Sequence, residues 1–286
     1  MTASRFLFHA SAIGVTGQIT RPVNQPVPSR ASALPPGGGY ASVRQDPDKV
    51  LEIYSHQGAT TEATGNDNQA GDHETTTTAT VQELNIGNVV LLDSCTAYLS
   101  SIHPADGSQA RFNTQGSFFN NLRIAGREIQ LESRVELHSL ISTLDELQKH
   151  YRDNADLAEQ LHLREPFPFR DKLLQDVYAG NENALHEKQR KYFPWRNWAN
   201  TKEVPASKGL GVCIVPLFIV KNPSEPGFHV SGNVITVDNF GTVVLGELII
   251  GAYQRRLTML HAELGSPTGG KMSAAIVDGN GGSTDP

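Results

Sequence analysis

Apolar and β-branched residues recur at every second position along most of this chain, and that spacing predicts strands rather than helices. The stretch "RFLFHASAIGVTGQIT" (residues 5–20) reads as a strand pair. "TTTTATVQELNI" and "NVVLLDSCTAYLSSI", on either side of Gly87, read as two paired strands, because β-branched side chains pack well on a pleated surface. Shorter strands are expected at 41–44, 50–54 and 60–64. Leu122 and Ile124, then Ile129 and Leu131, alternate about a turn that contains Gly126, which is the pattern of a hairpin.

A different period takes over near Ser133. Leu140, Leu144, Leu147 and Tyr151 are spaced four, three and four apart, one face of a helix, and Thr143 with Glu146 makes a capping box at its start. Further helices are expected at 155–163, 170–178 and 182–192. Strand character returns with "LGVCIVPLFIV", where Pro216 cannot donate to a ladder and so marks an edge or a bulge. It continues through "HVSGNVITVDNFGTVVLGELII" and "RRLTMLHAELG". The Pro- and Gly-rich segment 21–39 reads as a loop or extended arm, and 266–286, with few apolar residues, as a flexible tail that frays. The expected fold is mainly β, an antiparallel sandwich or barrel with a helical insertion. Its parts are a discontinuous β-domain from 1–133 and 207–265, a helical insertion at 134–206, and the tail.

Charge narrows the partners. Thirty acids against 24 bases give a net charge of −6, so the 286-residue chain has no general attraction for nucleic acid or anionic membrane. Self-association or a protein partner is the first expectation, with the 21–39 arm reaching a neighbouring subunit, and a small ligand is the second. No apolar run approaches a membrane span, and "MTASRFLFHASAIGV" reads as a first strand rather than a signal peptide. The cytoplasm is the default location, with export or the cell surface as the alternative. Cys95 and Cys213 lack CxxC spacing and read as reduced core thiols, with one bridge between them as the other option.

Candidate chemistry is sparse. In "FGTVVLGELII" side chains two apart share a face, which puts Glu247 with Val243, Leu245 and Ile249. A carboxylate in such a setting needs a partner, and His261, Arg255 and Arg256 on the next strand are the natural ones. Glu247 and His261 are thus the candidate acid/base pair of an enzyme reading. His261 and Glu263 share a face with Met259, the pattern of a half-exposed strand. "EKQRKYFPWRNWANTK" interleaves cations with aromatics, and Tyr192, Trp195, Arg196 and Trp198 are its candidate ligand or interface residues. No HExxH, phosphate loop or GxGxxG motif is present, and His138, His150 and His162 would not align even on one helix, so no metal or cofactor is expected. The functional expectation is a non-catalytic structural or binding β-domain, an oligomer component. Its rivals are a small-molecule enzyme using Glu247 and His261, and carbohydrate or nucleic-acid binding through the aromatic-basic patch.

Four stretches, "FHASAIGVTGQITRP", "TATVQELNIGNVVLLDSCTAYLSS", "GSFFNNLRIAGREIQ" and "NVITVDNFGTVVLGELIIGAYQRRLTMLHAEL", together resemble the β-rich bacterial surface domains of the choice-of-anchor P family. The resemblance implies an exported, sheet-dominated domain and carries over no catalytic residue. The block at about 134–200 departs from that pattern.

Overall fold

Buried and exposed side chains alternate along the long strands, and the chain pairs accordingly into antiparallel sheets. The computed structural model describes residues 6–136, 141–153, 212–251 and 255–283. The first part supplies β1 (Phe6–Arg21), β2 (Gln25–Val27), β3 (Ala31–Ala33), β4 (Gly39–Gln45), β5 (Asp48–Val50), β6 (Tyr54–His56) and β7 (Gly58–Asp67). It continues with β8 (His73–Ile86), β9 (Val90–His103), β10 (Arg111–Asn113), β11 (Phe118–Asn120), β12 (Arg123–Ile124), β13 (Arg127–Glu128) and β14 (Leu131–Ser133). Helix α1 (Leu144–Asp153) follows. The later part supplies β15 (Val212–Pro216), β16 (Phe218–Val220), β17 (Phe228–Ser231), β18 (Val234–Val237), β19 (Gly241–Gly251), β20 (Arg255–Leu264) and β21 (Gly269–Ser283).

Two sheets make a sandwich. One runs β17-β18-β19-β20-β21-β1-β2, with β15 beside β19 and β3 beside β1. The other runs β13-β12-β9-β8-β6-β5, with β7 and β4 continuing outward from β8, and β10 and β11 beside β9. β1, β20 and β21 pack over β7, β8 and β9, and the core between them includes Ile19, Leu245, Leu257 and Val277 from one sheet and Val81, Leu84, Cys95 and Leu99 from the other. Among the described residues neither sheet closes into a barrel, and no helix is long and apolar enough to cross a membrane. Cys95 is a free thiol, pushed up to about 12 by burial.

Several local expectations hold. β8 and β9 pair about Gly87. β12 and β13 form the hairpin, with Ala125 and Gly126 both left-handed in its turn. The Glu146 N–H donates to Thr143 Oγ1 at 3.2 Å while the Thr143 N–H donates to Glu146 Oε2 at 3.0 Å, which is the capping box at the start of α1. Pro216 ends β15, which pairs with β19 alone.

Other expectations are corrected. Residues 5–20 are one strand, not two: Phe6–Arg21 is continuous because β21 offers it a partner of matching length. The 21–39 arm folds back in cis, its β2 and β3 pairing with β1 itself. The tail is the largest departure. Gly269–Ser283 is a strand lying between β20 and β1 in the middle of its sheet. Its glycines answer a steric demand: a Cβ on Gly281 would sit 2.1 Å from Phe6 Cζ, and one on Gly279 would sit 3.3 Å from Thr75 Oγ1 across the core. Of the helical insertion, α1 is described, while the helices expected at 155–163, 170–178 and 182–192 lie outside the described residues.

One row of residues breaks the alternation on four adjacent strands at once. Gly14, Ala275, Met259 and Gly246 are skipped in the pairing, flanked by Ile13↔Ile276 and Val15↔Ala274, by Thr258↔Ile276 and Leu260↔Ala274, and by Leu245↔Leu260 and Glu247↔Thr258. Ala275 and Gly246 hold left-handed φ of 50° and 59°. Across this row the inward set changes parity, from Val243 and Leu245 to Leu248 and Ile250 on β19, and from Arg255, Leu257 and Met259 to Leu260 and Ala262 on β20. Gly14 permits the close approach of the other sheet, since its Cβ would lie 2.5 Å from that of Ala59. Gly246 meets both constraints, its left-handed φ and a Cβ position 2.4 Å from Phe218 Cδ2. A Gly246→Ala variant is therefore expected to lose about 1–3 kcal/mol in urea unfolding, whereas Gly282→Ala, with nothing within 4 Å of its Cβ position, changes stability by less than about 0.5 kcal/mol.

Candidate functional site

The parity break decides where the expected site residues go. Glu247 pairs with Thr258 and with Pro216, on the face opposite Leu248 and Ile250, and is half-buried there. The strict alternation expected from sequence placed it with Val243 and Leu245, and the kink at Gly246 moves it to the other side. His261 pairs with Val244, three rows from the Glu247 row, which is about 10 Å along the strand. The register thus does not bring the expected acid/base pair to one position. His261 Nδ1 lies 2.8 Å from Ser273 Oγ, and its Nε2 lies 3.6 Å from Glu263 Oε1. Met259 points inward, so it does not share their face. Tyr192, Trp195, Arg196 and Trp198 lie outside the described residues.

Arg255, expected to answer Glu247, is instead on the core face. It pairs with Ile250, next to Leu257, and is 1% exposed. Its backbone N–H donates to Asn280 Oδ1 at 2.6 Å, but the side-chain Nε and Nη1 have no hydrogen-bond partner among the described residues. Burial lowers the guanidinium to about 10, so it stays charged at neutral pH. Among the described residues no carboxylate pulls it back up. An unpaired buried charge costs about 3–5 kcal/mol. Arg256, one residue on, faces the other way and reaches Asp278 Oδ1 at 3.9 Å.

Around Arg255 the strand ends bring together two histidines and a ring stack. β8 and β9 turn about Asn88, which sets His73 directly opposite His103. The Phe6 ring stacks on His73 with centroids 4.0 Å apart and lies 5.1 Å from His103, and Phe8 meets Phe6 edge-on at 5.0 Å. His73 Nδ1 contacts Asp67 Oδ1 at 2.6 Å on the solvent side. Burial, then the Arg255 charge and His73, push His103 down to about 4. Ser101 Oγ lies 3.4 Å from His103 Nε2, but Ser101 is fully buried, so the pair orients a ring and presents no nucleophile. Among the described residues no group of three or more His, Cys, Asp and Glu could hold a metal. A shallow groove of about 720 Å³ lies elsewhere, at residues 82–85 and 91–94 with Arg123, and its polar groups are surface groups.

What this end of the sandwich can do follows from its charge. A guanidinium presents a planar fork of N–H donors that fits a carboxylate or phosphate, and His73 and His103 can add donors beside it. The fold and this end define a two-sheet β-sandwich with a cationic, aromatic-walled terminus. Residues 6–251 match a family described as a domain of unknown function (DUF8256), and the chain belongs to that family. The matched stretch stops at Gly251, whereas the sheet that holds it is completed by β20 and β21. No curated protein and no solved structure matches the chain.

His103 gives the site a pH signature. Its folded pKa, about 4, lies below the ordinary 6.5, so between those values the unfolded chain holds a proton that the folded chain does not. Stability contributed by neutral His103 is complete above about pH 6.5 and declines as pH falls towards about 4. His56, also lowered by burial, adds a slope of the same sign. Urea unfolding between pH 4 and 7 is expected to show a shallower acid-side decline in His103→Gln than in the parent protein.

Proposed function

We propose that the protein is a non-catalytic binding domain that holds an oxyanionic group, a carboxylate or phosphate, against Arg255 at the end of the sandwich, with His103 and His73 beside it. The observation that supports this reading is the buried guanidinium, which has two unpartnered nitrogens and no carboxylate partner among the described residues. A water molecule could satisfy a donor but not the charge; an anion does both. Arg255 is 1% exposed, and such a low-dielectric setting strengthens the attraction. Among the described residues beside the guanidinium, Ser101 is fully buried, which favours recognition over turnover.

The test is thermal unfolding of the protein in sodium phosphate, sodium acetate and sodium chloride at equal ionic strength, with Arg255→Met as the comparison. At least one oxyanion is expected to raise Tm saturably by several degrees over chloride. Arg255→Met is expected to lose that response while unfolding no lower than the parent in chloride, because a well-packed apolar residue relieves the unpaired charge. Equal Tm in all three salts, or an undiminished response in Arg255→Met, would refute the reading.

A further inference from the structure

A second polar cluster is buried on the opposite flank, roughly 25 Å along β1 from Phe6. The ribbon formed by β4–β5 and β6–β7 jogs after Gln45↔Ala59 and resumes at Asp48↔His56 and Val50↔Tyr54. The jog turns Gln45, Tyr54 and His56 inward, with Asp48 half-buried opposite His56, and Gln45 Oε1 lies 3.7 Å from the Cβ position of Gly14. Tyr54 and His56 are each 2% exposed, with ring centroids 5.7 Å apart. Among the described residues, Gln45 Oε1, Asp48 Oδ2, Tyr54 Oη and both nitrogens of His56 have no hydrogen-bond partner.

Counting donors against acceptors gives the ligand class. Gln45 Nε2 donates one N–H to the Pro28 carbonyl at 3.1 Å, so the amide offers its oxygen and one further N–H. Asp48 accepts only, Tyr54 can donate once and accept, and a neutral imidazole has one donor and one acceptor. Acceptors therefore outnumber donors by four to three, and the set carries a negative charge from Asp48. Protonating His56 would ease the excess, but burial lowers its pKa, with Asp48 and the Gly58 carbonyl pulling more weakly the other way, the latter short of hydrogen-bond geometry. The Tyr54 hydroxyl is held protonated by burial and then by the Asp48 charge. No group of three metal-ligating side chains forms among the described residues. The partner this set lacks is a compact cation rich in N–H donors.

We propose that Gln45, Asp48, Tyr54 and His56 form a binding site for a small free amine in its ammonium form. Depth selects a free amine over a lysine side chain of another protein, since groups this buried admit only a compact ligand. The site is separate from Arg255 and does not depend on the anion reading.

The experiment follows the His56 Cε1–H resonance and the Tm of the full chain during titration with methylammonium chloride or tetramethylammonium chloride, cations of equal charge of which only the first has N–H donors. Methylammonium is expected to shift the resonance saturably and raise Tm. Asp48→Asn and Tyr54→Phe each weaken its apparent affinity by roughly tenfold or more, the worth of a hydrogen bond to a charged group, and Arg255→Met leaves it unchanged. Equal effects of the two cations, no saturable shift, or full affinity in Asp48→Asn would overturn the proposal. If Asp48→Asn fails to fold, Tyr54→Phe, which keeps the packed ring, decides by the same criterion.

Discussion

The pairing of β1 with β21 holds the rest of the structure in place. It joins the beginning and the end of the described chain along almost the whole of both strands, from Phe6↔Ser283 to Arg21↔Gly269. β21 also pairs with β20 from Arg256↔Asp278 to Leu264↔Gly270, so its backbone groups are satisfied on both sides. Without it, β1 and β20 would each present an open edge in mid-sheet, and the apolar faces of Ala12, Val15, Leu257 and Leu260 would lose their cover. The family match ends at Gly251, short of β20 and β21. The folded unit is therefore longer than the matched stretch.

That pairing also carries the kink that buries Arg255. Strict alternation on β20 outward from Leu264, Ala262 and Leu260 would send Arg256 into the core and Arg255 to solvent. The break at Met259 reverses this, buries Arg255, and on β19 the same row turns Glu247 out of the core. A left-handed Ala275 costs roughly 1–2 kcal/mol, which burying an apolar set on each side of the row offsets many times over. The other sheet has a counterpart at Glu83, with φ of 48°, skipped between Gln82↔Ser94 and Leu84↔Leu92. Both layers thus bend, and polar side chains enter the core near the ends of the sandwich.

Much of the architecture was legible in the sequence. The β8–β9 pair, the β12–β13 hairpin, the α1 capping box and the edge position of Pro216 each follow from a local rule with no competitor. The failures have physical causes. "DGNGGS" has the composition of a frayed tail, yet Phe6 occupies the space a Cβ on Gly281 would need and Thr75 crowds that of Gly279, a fact of tertiary contact. Period two is a rule for unbroken strands, so the faces of Glu247 and Met259 could not be read across the row at Gly246 and Met259. One missed signal was present: a hairpin centred on Asn88 places His73 opposite His103 from numbering alone. Arg255 was visible as a cation beside Glu247, but its burial depends on which residue of β20 is skipped.

The most direct test is native-state hydrogen exchange of the β21 backbone amides between residues 271 and 279. If β21 is the central neighbour of β1 and β20, these amides exchange only through global unfolding, with the same denaturant dependence as those of β8 and β9 in the facing sheet. Exchange at the rate of unstructured chain, or through an opening far below the global free energy, would show that the two ends of the chain do not build the middle of the sheet.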